Sequence, residues 1–354
     1  MDSVKKTIVS TALVCLAVRL AVLAGAGEAI GAWVQDLGAD GLVPVTLRVE
    51  LGAPVAQPSE DAVTEAPVPE EAEQAWMLVA VTPAPDGAEE AVNSGELQPA
   101  IPAVAADLSK SYTVHNRTAF DVDYAALAAA GQQLELEADA PQILIIHTHS
   151  SEAYTPDDVD RYAASDPYRT EDKNYSVIRV GDALAEKFEE NGLTVIHDRE
   201  LYDYPSYTGS YNRSGAAVEK YLADYPSIKV VIDLHRDALG SGDVVYKTQA
   251  TLSGKTSAQV MMLVGTGENG LPDPYWQENL KLALYLQDAA ETKYPGLARP
   301  IELVSERYNQ QLSTGMMILE VGSSGNTLRE ALTAIDLFGE AAGKALAAQI
   351  APET

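Results

Sequence analysis

The chain has one cysteine, Cys15, among its 354 residues, and it lies in an amino-terminal apolar segment. No intramolecular disulfide can form. Neither a thiol nucleophile nor a cysteine-rich zinc knuckle is open to the rest of the chain. Basic residues are scarce as well: 24 Lys and Arg stand against 52 Asp and Glu, a formal net charge of −28. Phosphate contacts need clustered Lys and Arg, so a nucleic-acid partner is excluded. Nonspecific adhesion to an anionic wall or membrane surface is excluded by the same charge. A polyanionic substrate must be recognised in a groove or delivered by a partner protein. No internal repeat of solenoid period is visible.

A clean run of twenty apolar residues is missing too. The segment from Ile8 to about Val34 is rich in Ala, Leu and Val but is interrupted by Arg19 and Glu28. Small residues around Ala24 to Ala29 suit a signal-peptide cleavage site. Against cleavage, Lys5 and Lys6 precede the segment and apolar character resumes at Ile30 to Trp33, which places an aromatic at an outer interface. Arg19 costs a membrane helix about 2.5–3.5 kcal/mol on insertion scales, which is tolerable. The expectation is a single-pass anchor in the cell membrane over residues 1–34, with everything after it extracytoplasmic.

From Val49 to Ser109 there is no Lys or Arg at all, and Pro, Ala, Glu and Asp dominate. Such a composition cannot bury enough surface to fold, so residues 35–106 read as a disordered acidic linker. One apolar island within it, Trp76 to Val81, has no evident partner. The folded domain is expected over 107–354.

That domain alternates strand and helix patterns. Val177, Val180, Leu184 and Phe188 recur at helical spacing, with Gly192 at the carboxyl-terminal cap. Trp276 to Lys293 and Asn326 to Gln349 read as further helices, and Gly215 to Tyr225 as another. Short apolar runs at Ile143 to Ile146, Leu193 to His197, Val230 to Leu234, Gln259 to Val264, Ile301 to Val304 and Thr314 to Val321 read as strands. Asp243 to Leu252 alternates enough for an antiparallel arm. The fold class is α/β, a mostly parallel central sheet with helices on both faces.

Three of these strands end in candidate metal ligands. Ile143 to Ile146 runs into His147, His149 and Glu152; Val230 to Leu234 runs into His235, Arg236 and Asp237; Met316 to Leu319 runs into Glu320. Open α/β sheets keep their sites at the carboxyl ends of strands. The set fits a two-histidine, one-carboxylate zinc centre with a spare acid. Taken singly, a histidine after a strand is usually a hydrogen-bonded surface residue, and His115 is read that way; His197 is a competing ligand candidate, ranked lower because HDRE carries the polarity of an ordinary strand exit. An acid directly behind four apolar residues, as at Glu320, is costly unless paired or functional. The tyrosine-rich loop Asp203 to Ser214 fits turn packing and a substrate rim equally well.

Five stretches, taken together and in order, carry a resemblance: HTHSSEAYTP, EDKNYSVIRVGDAL, HDRELYDYPSYTGSYNRS, VVIDLHRDAL and MMILEVGSSGNTLREALTAIDLFGEAAGKAL. They resemble the stage II sporulation protein P family over about Gln142 to Leu346. The resemblance implies a zinc-dependent N-acetylmuramoyl-L-alanine amidase with a zinc amidase-like fold, acting on peptidoglycan during engulfment and also able to cut peptide crosslinks. It implies stage II sporulation proteins D and M as partners. By matching position it makes His149, Glu152 and His235 the Zn2+ ligands and Glu320 the catalytic acid/base. His147 either replaces His149 on the metal or orients a neighbour, since strand alternation points both imidazoles to one face. Glu171 rivals Glu152. Arg236 and Asp237 wall the site, with Asp237 placed to hold a histidine tautomer. Two other readings stand beside this one. The first is a non-catalytic wall-binding scaffold. The second is a zinc carboxypeptidase-like hydrolase, using Arg236 or Arg213 for a free carboxylate.

Overall fold

The computed structural model describes residues 77–81, 97–99, 113–132, 134–241 and 244–351. The chain divides into Met1–Glu70 and Glu71–Thr354, and every described residue belongs to the second unit. The expected anchor, 1–34, lies outside the described residues. Among those described, no helix is long and apolar enough to cross a membrane.

Seven strands form the central sheet. In chain order they are β3 (Val114–Asn116), β4 (Ile143–Ile146), β5 (Val195–His197), β6 (Val230–Asp237), β10 (Val260–Gly265), β11 (Ile301–Val304) and β12 (Met316–Ser323). Their spatial order is β3-β11-β10-β12-β6-β4-β5. All neighbours run parallel except β10 and β12, which are antiparallel. The central strands are buried on both faces, so their sequences read as continuous apolar runs rather than alternations.

Among the described residues, five α-helices accompany the sheet: α1 (Tyr124–Ala130), α2 (Val177–Glu190), α3 (Ser210–Asp224), α4 (Trp276–Lys293) and α5 (Leu328–Ala347). Strand alternation sorts them between two layers. Ile143 and Ile145, Val230, Ile232 and Leu234, and Met317, Leu319 and Val321 face one way and pack with α2, α4 and α5. Leu144, Ile146, Val231 and Met316 face the other way, where Val218 of α3 covers them. The first layer buries Phe188 and Phe338 completely; a fully buried side chain of this size contributes roughly 1.5–3 kcal/mol. Local signals set the helix ends. Ser176 caps α2 by accepting from the Ile178 amide. Thr327 and Glu330 form a reciprocal capping box on α5. Helix α3 begins at Ser210, five residues before the expected start at Gly215, because Gly209 takes a left-handed conformation (φ 82°) and launches the helix there.

A smaller sheet joins β1 (Met77–Val81), β2 (Leu97–Pro99), β7 (Gly240–Ser241), β8 (Val244–Leu252) and β9 (Lys255–Ser257). Its β8 is the antiparallel arm expected from alternation. The region read as an unstructured linker therefore differs at two places, since β1 and β2 lie within 35–106. The island Met77–Val81 supplies five residues free of Pro and charge, and they pair antiparallel with Val245–Gln249 along the edge of β8. Pairing satisfies main-chain groups on both segments that water must otherwise satisfy.

Candidate metal centre

The parallel register of β6 and β12 builds the floor of the site. Glu320 pairs with His235 and Ile318 with Asp233, and paired residues project to the same face. Asp233, His235 and Glu320 therefore stand on the face covered by α3. Immediately after Glu320 the chain bulges: Gly322 has φ 63°, and a Cβ there would lie 2.8 Å from Asn326 Oδ1. Only glycine fits that turn.

The wall comes from the turn after β4. Strand β4 ends at Ile146, and the segment through Ser151 curls back so that Glu152 N–H donates to the His149 carbonyl at 3.1 Å. This brings His149, Glu152 and His235 together as a buried group whose ligand atoms lie within 4.8 Å of one another. The Glu152 carboxylate sits between the imidazoles, with Oε1 3.6 Å from His149 Nδ1 and Oε2 3.4 Å from His235 Nδ1. Both distances exceed ordinary hydrogen bonds, and both suit atoms converging on a common ion. On its far side His235 turns Nε2 toward Asp233 Oδ1 at 3.0 Å. Asp233 is itself held by the Thr148 amide at 2.7 Å and the Thr148 hydroxyl at 2.6 Å. Asp233 thus stands behind the imidazole as its charge partner, Nε2 making no well-aligned hydrogen bond among the described residues, and Nδ1 faces the pocket.

Electrostatics favour a cation here. Burial pushes the Glu152 carboxyl up, but Arg236 and the imidazoles of His149 and His235 outweigh it and hold the group well below the usual carboxylate range. Burial pushes His235 down, yet Asp233 and then Glu152 raise it well above an ordinary histidine. Glu320 is moved the other way: burial, reinforced by Asp237, pushes its carboxyl up to about 8. Its Oε2 is buried without a hydrogen-bond partner among the described residues. Two imidazoles, an ionised carboxylate between them and an orphaned acid beside them make a donor set that fits zinc.

The structure separates His147 from this group. Alternation along β4 turns it to the opposite face, where Nδ1 lies 2.8 Å from the Leu234 carbonyl and Nε2 lies 2.8 Å from His197 Nε2. Both imidazoles press on Gly181 of α2, where a Cβ would come within 2.6 Å of either Nε2. His147 and His149 do not share a face because the strand ends between them. Glu171 also stands apart, exposed and hydrogen-bonded to Tyr204. Asp237 does not hold a histidine; it pairs with Arg299 at 2.7 Å, and Asp233 is the carboxylate behind His235. His115, read as a surface residue, pairs with Glu302 at 3.0 Å.

A family model described as "Stage II sporulation protein P (SpoIIP)" matches residues 71–342. The chain belongs to the stage II sporulation protein P family. It is 30% identical over 217 residues to the stage II sporulation protein P of Bacillus subtilis (strain 168), covering 57% of this chain and 51% of that protein. The chain thus spans about half the length of the curated relative it matches. Among solved structures it is similar to the CwlD amidase from Clostridioides difficile in complex with the GerS lipoprotein (12% identity, TM-score 0.36, 59% of this chain and 98% of that one). It is also similar to the catalytic domain of CwlV, an N-acetylmuramoyl-L-alanine amidase from Bacillus (Paenibacillus) polymyxa var. colistinus (12% identity, TM-score 0.31, 57% and 95%). Likenesses this remote carry no argument about activity.

In this member of the stage II sporulation protein P family, three supporting residues escaped sequence reading. Asp233 lies inside an apolar run, where its carboxylate looked like part of a strand. Arg169 reaches the site from a loop: its guanidinium contacts Asp203 at 2.5 Å, the Ser151 hydroxyl at 3.1 Å and Glu152 at 3.5 Å, and lies 5.0 Å from the centroid of Tyr207. Asp203, fully buried, also accepts from the Ser151 amide at 3.0 Å and its hydroxyl at 2.6 Å. The buried-acid signal at Asp233 was present in the sequence; the other two depend on loop paths. Part of the tyrosine loop reaches the centre, since Tyr207 stacks on His149 at 4.6 Å and Tyr211 meets it edge-on at 5.4 Å.

Proposed function

We propose that this chain is a zinc-dependent peptidoglycan hydrolase that cleaves the amide between N-acetylmuramic acid and L-alanine during engulfment, with peptide crosslinks as a further substrate. The observation that carries the reading is the convergence of His149, Glu152 and His235 beside an unpartnered Glu320, in a member of this family. His149, Glu152 and His235 would hold the metal, and the chemistry zinc supplies when bound is Lewis acidity toward an amide carbonyl and toward water.

The chain's own residues do the rest. Arg236 keeps Glu152 ionised: its main-chain N–H donates to Oε2 at 3.2 Å and its guanidinium stands 3.8 Å from Oε1. Asp233 stands behind His235 as its charge partner, with Nδ1 toward the pocket. Tyr207 and His235 brace the His149 ring from two directions. Glu320, with a carboxyl pushed to about 8, can take a proton from water and return it to the departing amide nitrogen near neutral pH.

The same reading includes a membrane anchor in residues 1–34, an extracytoplasmic domain, and stage II sporulation proteins D and M as partners. The carboxypeptidase-like alternative loses its proposed arginines. Arg213 is spent on the carbonyls of Tyr202, Ser206 and Thr208, and Arg236 on those of Ala153 and Tyr168. Measuring zinc content and muropeptide release on one preparation tests the proposal. Zinc with release supports it; stoichiometric zinc without release favours a wall-binding scaffold.

A further inference from the structure

A cavity of about 410 Å³ opens beside the candidate metal centre. It is within the ~300–1,000 Å³ usual for ligand sites. Arg169 and Tyr207 form the wall shared with the centre, and Tyr204, Pro205, Ser165 and Asp166 form the outer wall. Tyr204 and Tyr207 are 44% and 56% exposed. Tyr207 is already engaged with His149 and Arg169. Among the described residues, no ring or cation covers Tyr204, whose hydroxyl is held by Glu171. Tyr204 thus offers a free flat apolar face, while its neighbours offer polar atoms with nothing to bond.

Those polar atoms decide what fits. Arg169 is matched by Asp203 and Glu152. Its Nε–H has no acceptor among the described residues, so it can still donate to a ligand carbonyl. The Asp166 carboxylate likewise makes no side-chain hydrogen bond there and can accept from hydroxyls. With Arg169 already compensated, Asp166 leaves the cavity negative, which disfavours the carboxylates of a stem peptide. What remains complementary is a neutral ring with an apolar face, several hydroxyls and an amide oxygen.

We propose that this cavity is a glycan subsite, taking a neutral N-acetylated amino-sugar ring of the strand whose peptide amide lies at the metal centre. The assignment rests on the hydrolase reading for its orientation. The sugar stacks on Tyr204, its acetamido oxygen accepts from Arg169 Nε, and Asp166 accepts from its hydroxyls. The glycan strand then runs toward the loop Ser165–Arg169 and the stem peptide leaves on the Glu320 side.

The test uses the full chain and two soluble probes: a chitotetraose, which has no lactyl amide to cleave, and a sugar-free stem pentapeptide. Calorimetric titration should show the glycan binding. Tyr204→Ala should weaken it about tenfold, in line with the loss of one aromatic platform, and Asp166→Asn by a smaller factor. Both variants should keep the wild-type zinc content and melting temperature, because neither residue touches the His149–Glu152–His235 group. Glycan binding indifferent to Tyr204, no glycan binding, or a Tyr204-dependent response to the peptide alone overturns the subsite. Muropeptide release from sacculi is scored separately. A chain that releases muropeptides but binds glycan without Tyr204 keeps the hydrolase reading and loses this one.

Discussion

Glu152 Oε2 and His235 Nδ1 stand 3.4 Å apart, on side chains only 7% and 4% exposed. One comes from the turn after β4 and the other from the end of β6, so the contact joins two parts of the fold at the point where an ion would sit. Removing His235 leaves the Glu152 carboxylate buried against Arg236 with one imidazole fewer. His235→Ala should therefore lose tight zinc, and Glu152→Gln should weaken retention, since a neutral amide is a poorer ligand. Metal analysis after dialysis measures both; equal zinc in the His235 variant would remove it from the ligand set.

The imidazole pair on the opposite face makes a separate prediction. His147→Ala should keep zinc but lower the melting temperature, because it strands His197 and opens space at Gly181. Gly181→Ala should also destabilise, by about 1–3 kcal/mol, as its Cβ meets both Nε2 atoms at 2.6 Å. Denaturant titration separates these from metal loss.

Acid sensitivity follows from the His147–His197 pair. Burial, with the neighbouring His197 adding to it, holds His147 at about 3. His197 acts in the same direction: burial, with Arg199 adding to it, holds its imidazole down at about 4 against an ordinary 6.5. Between those values the unfolded chain binds a proton that the folded chain refuses, so stability falls as pH drops from 6.5 toward 4. His197→Asn should reduce that slope in melting curves taken across the interval, leaving the share that His147 contributes. An unchanged slope would place the acid sensitivity elsewhere.

Much of the architecture was legible because buried strands and amphipathic helices leave strong periodic signals. Trp276–Lys293 was read with the bounds it has in the structure. The candidate ligands His149, Glu152 and His235 were legible as polar residues at strand exits. What sequence could not give was the end of β4: one residue more or less decides whether His147 and His149 share a face. Arg169 and Asp203 meet across 34 positions through loop paths that no periodicity encodes. The island Trp76 to Val81 was visible, but its partner β8 lies far along the chain, and nothing local names it.

That pairing bears on where the domain begins. A fragment starting at Glu71 keeps β1 and β2, whereas one starting near Asp107 exposes the edge of β8. Both should fold. The shorter should melt lower, by about 2–4 °C for each kcal/mol of pairing lost, and should aggregate more readily through the bare edge. Identical melting and solubility would show the strands to be immaterial to the fold.

Glu320→Gln isolates the proton-transfer role. If the carboxyl acts as acid and base, the variant should keep zinc and melt near the wild type while losing about 10²–10⁴ in rate. Weakened zinc retention would instead make Glu320 a ligand. Near-normal turnover would take it out of the mechanism.

Hydrolysis of one particular amide is checked by mass analysis of purified sacculi digested by the zinc-loaded chain. Free stem peptides with L-alanine at their amino termini and glycan strands of undiminished length are expected, with the release abolished by Glu320→Gln. Sacculi that remain intact under a chain carrying stoichiometric zinc, or products shortened only in the glycan, would contradict it.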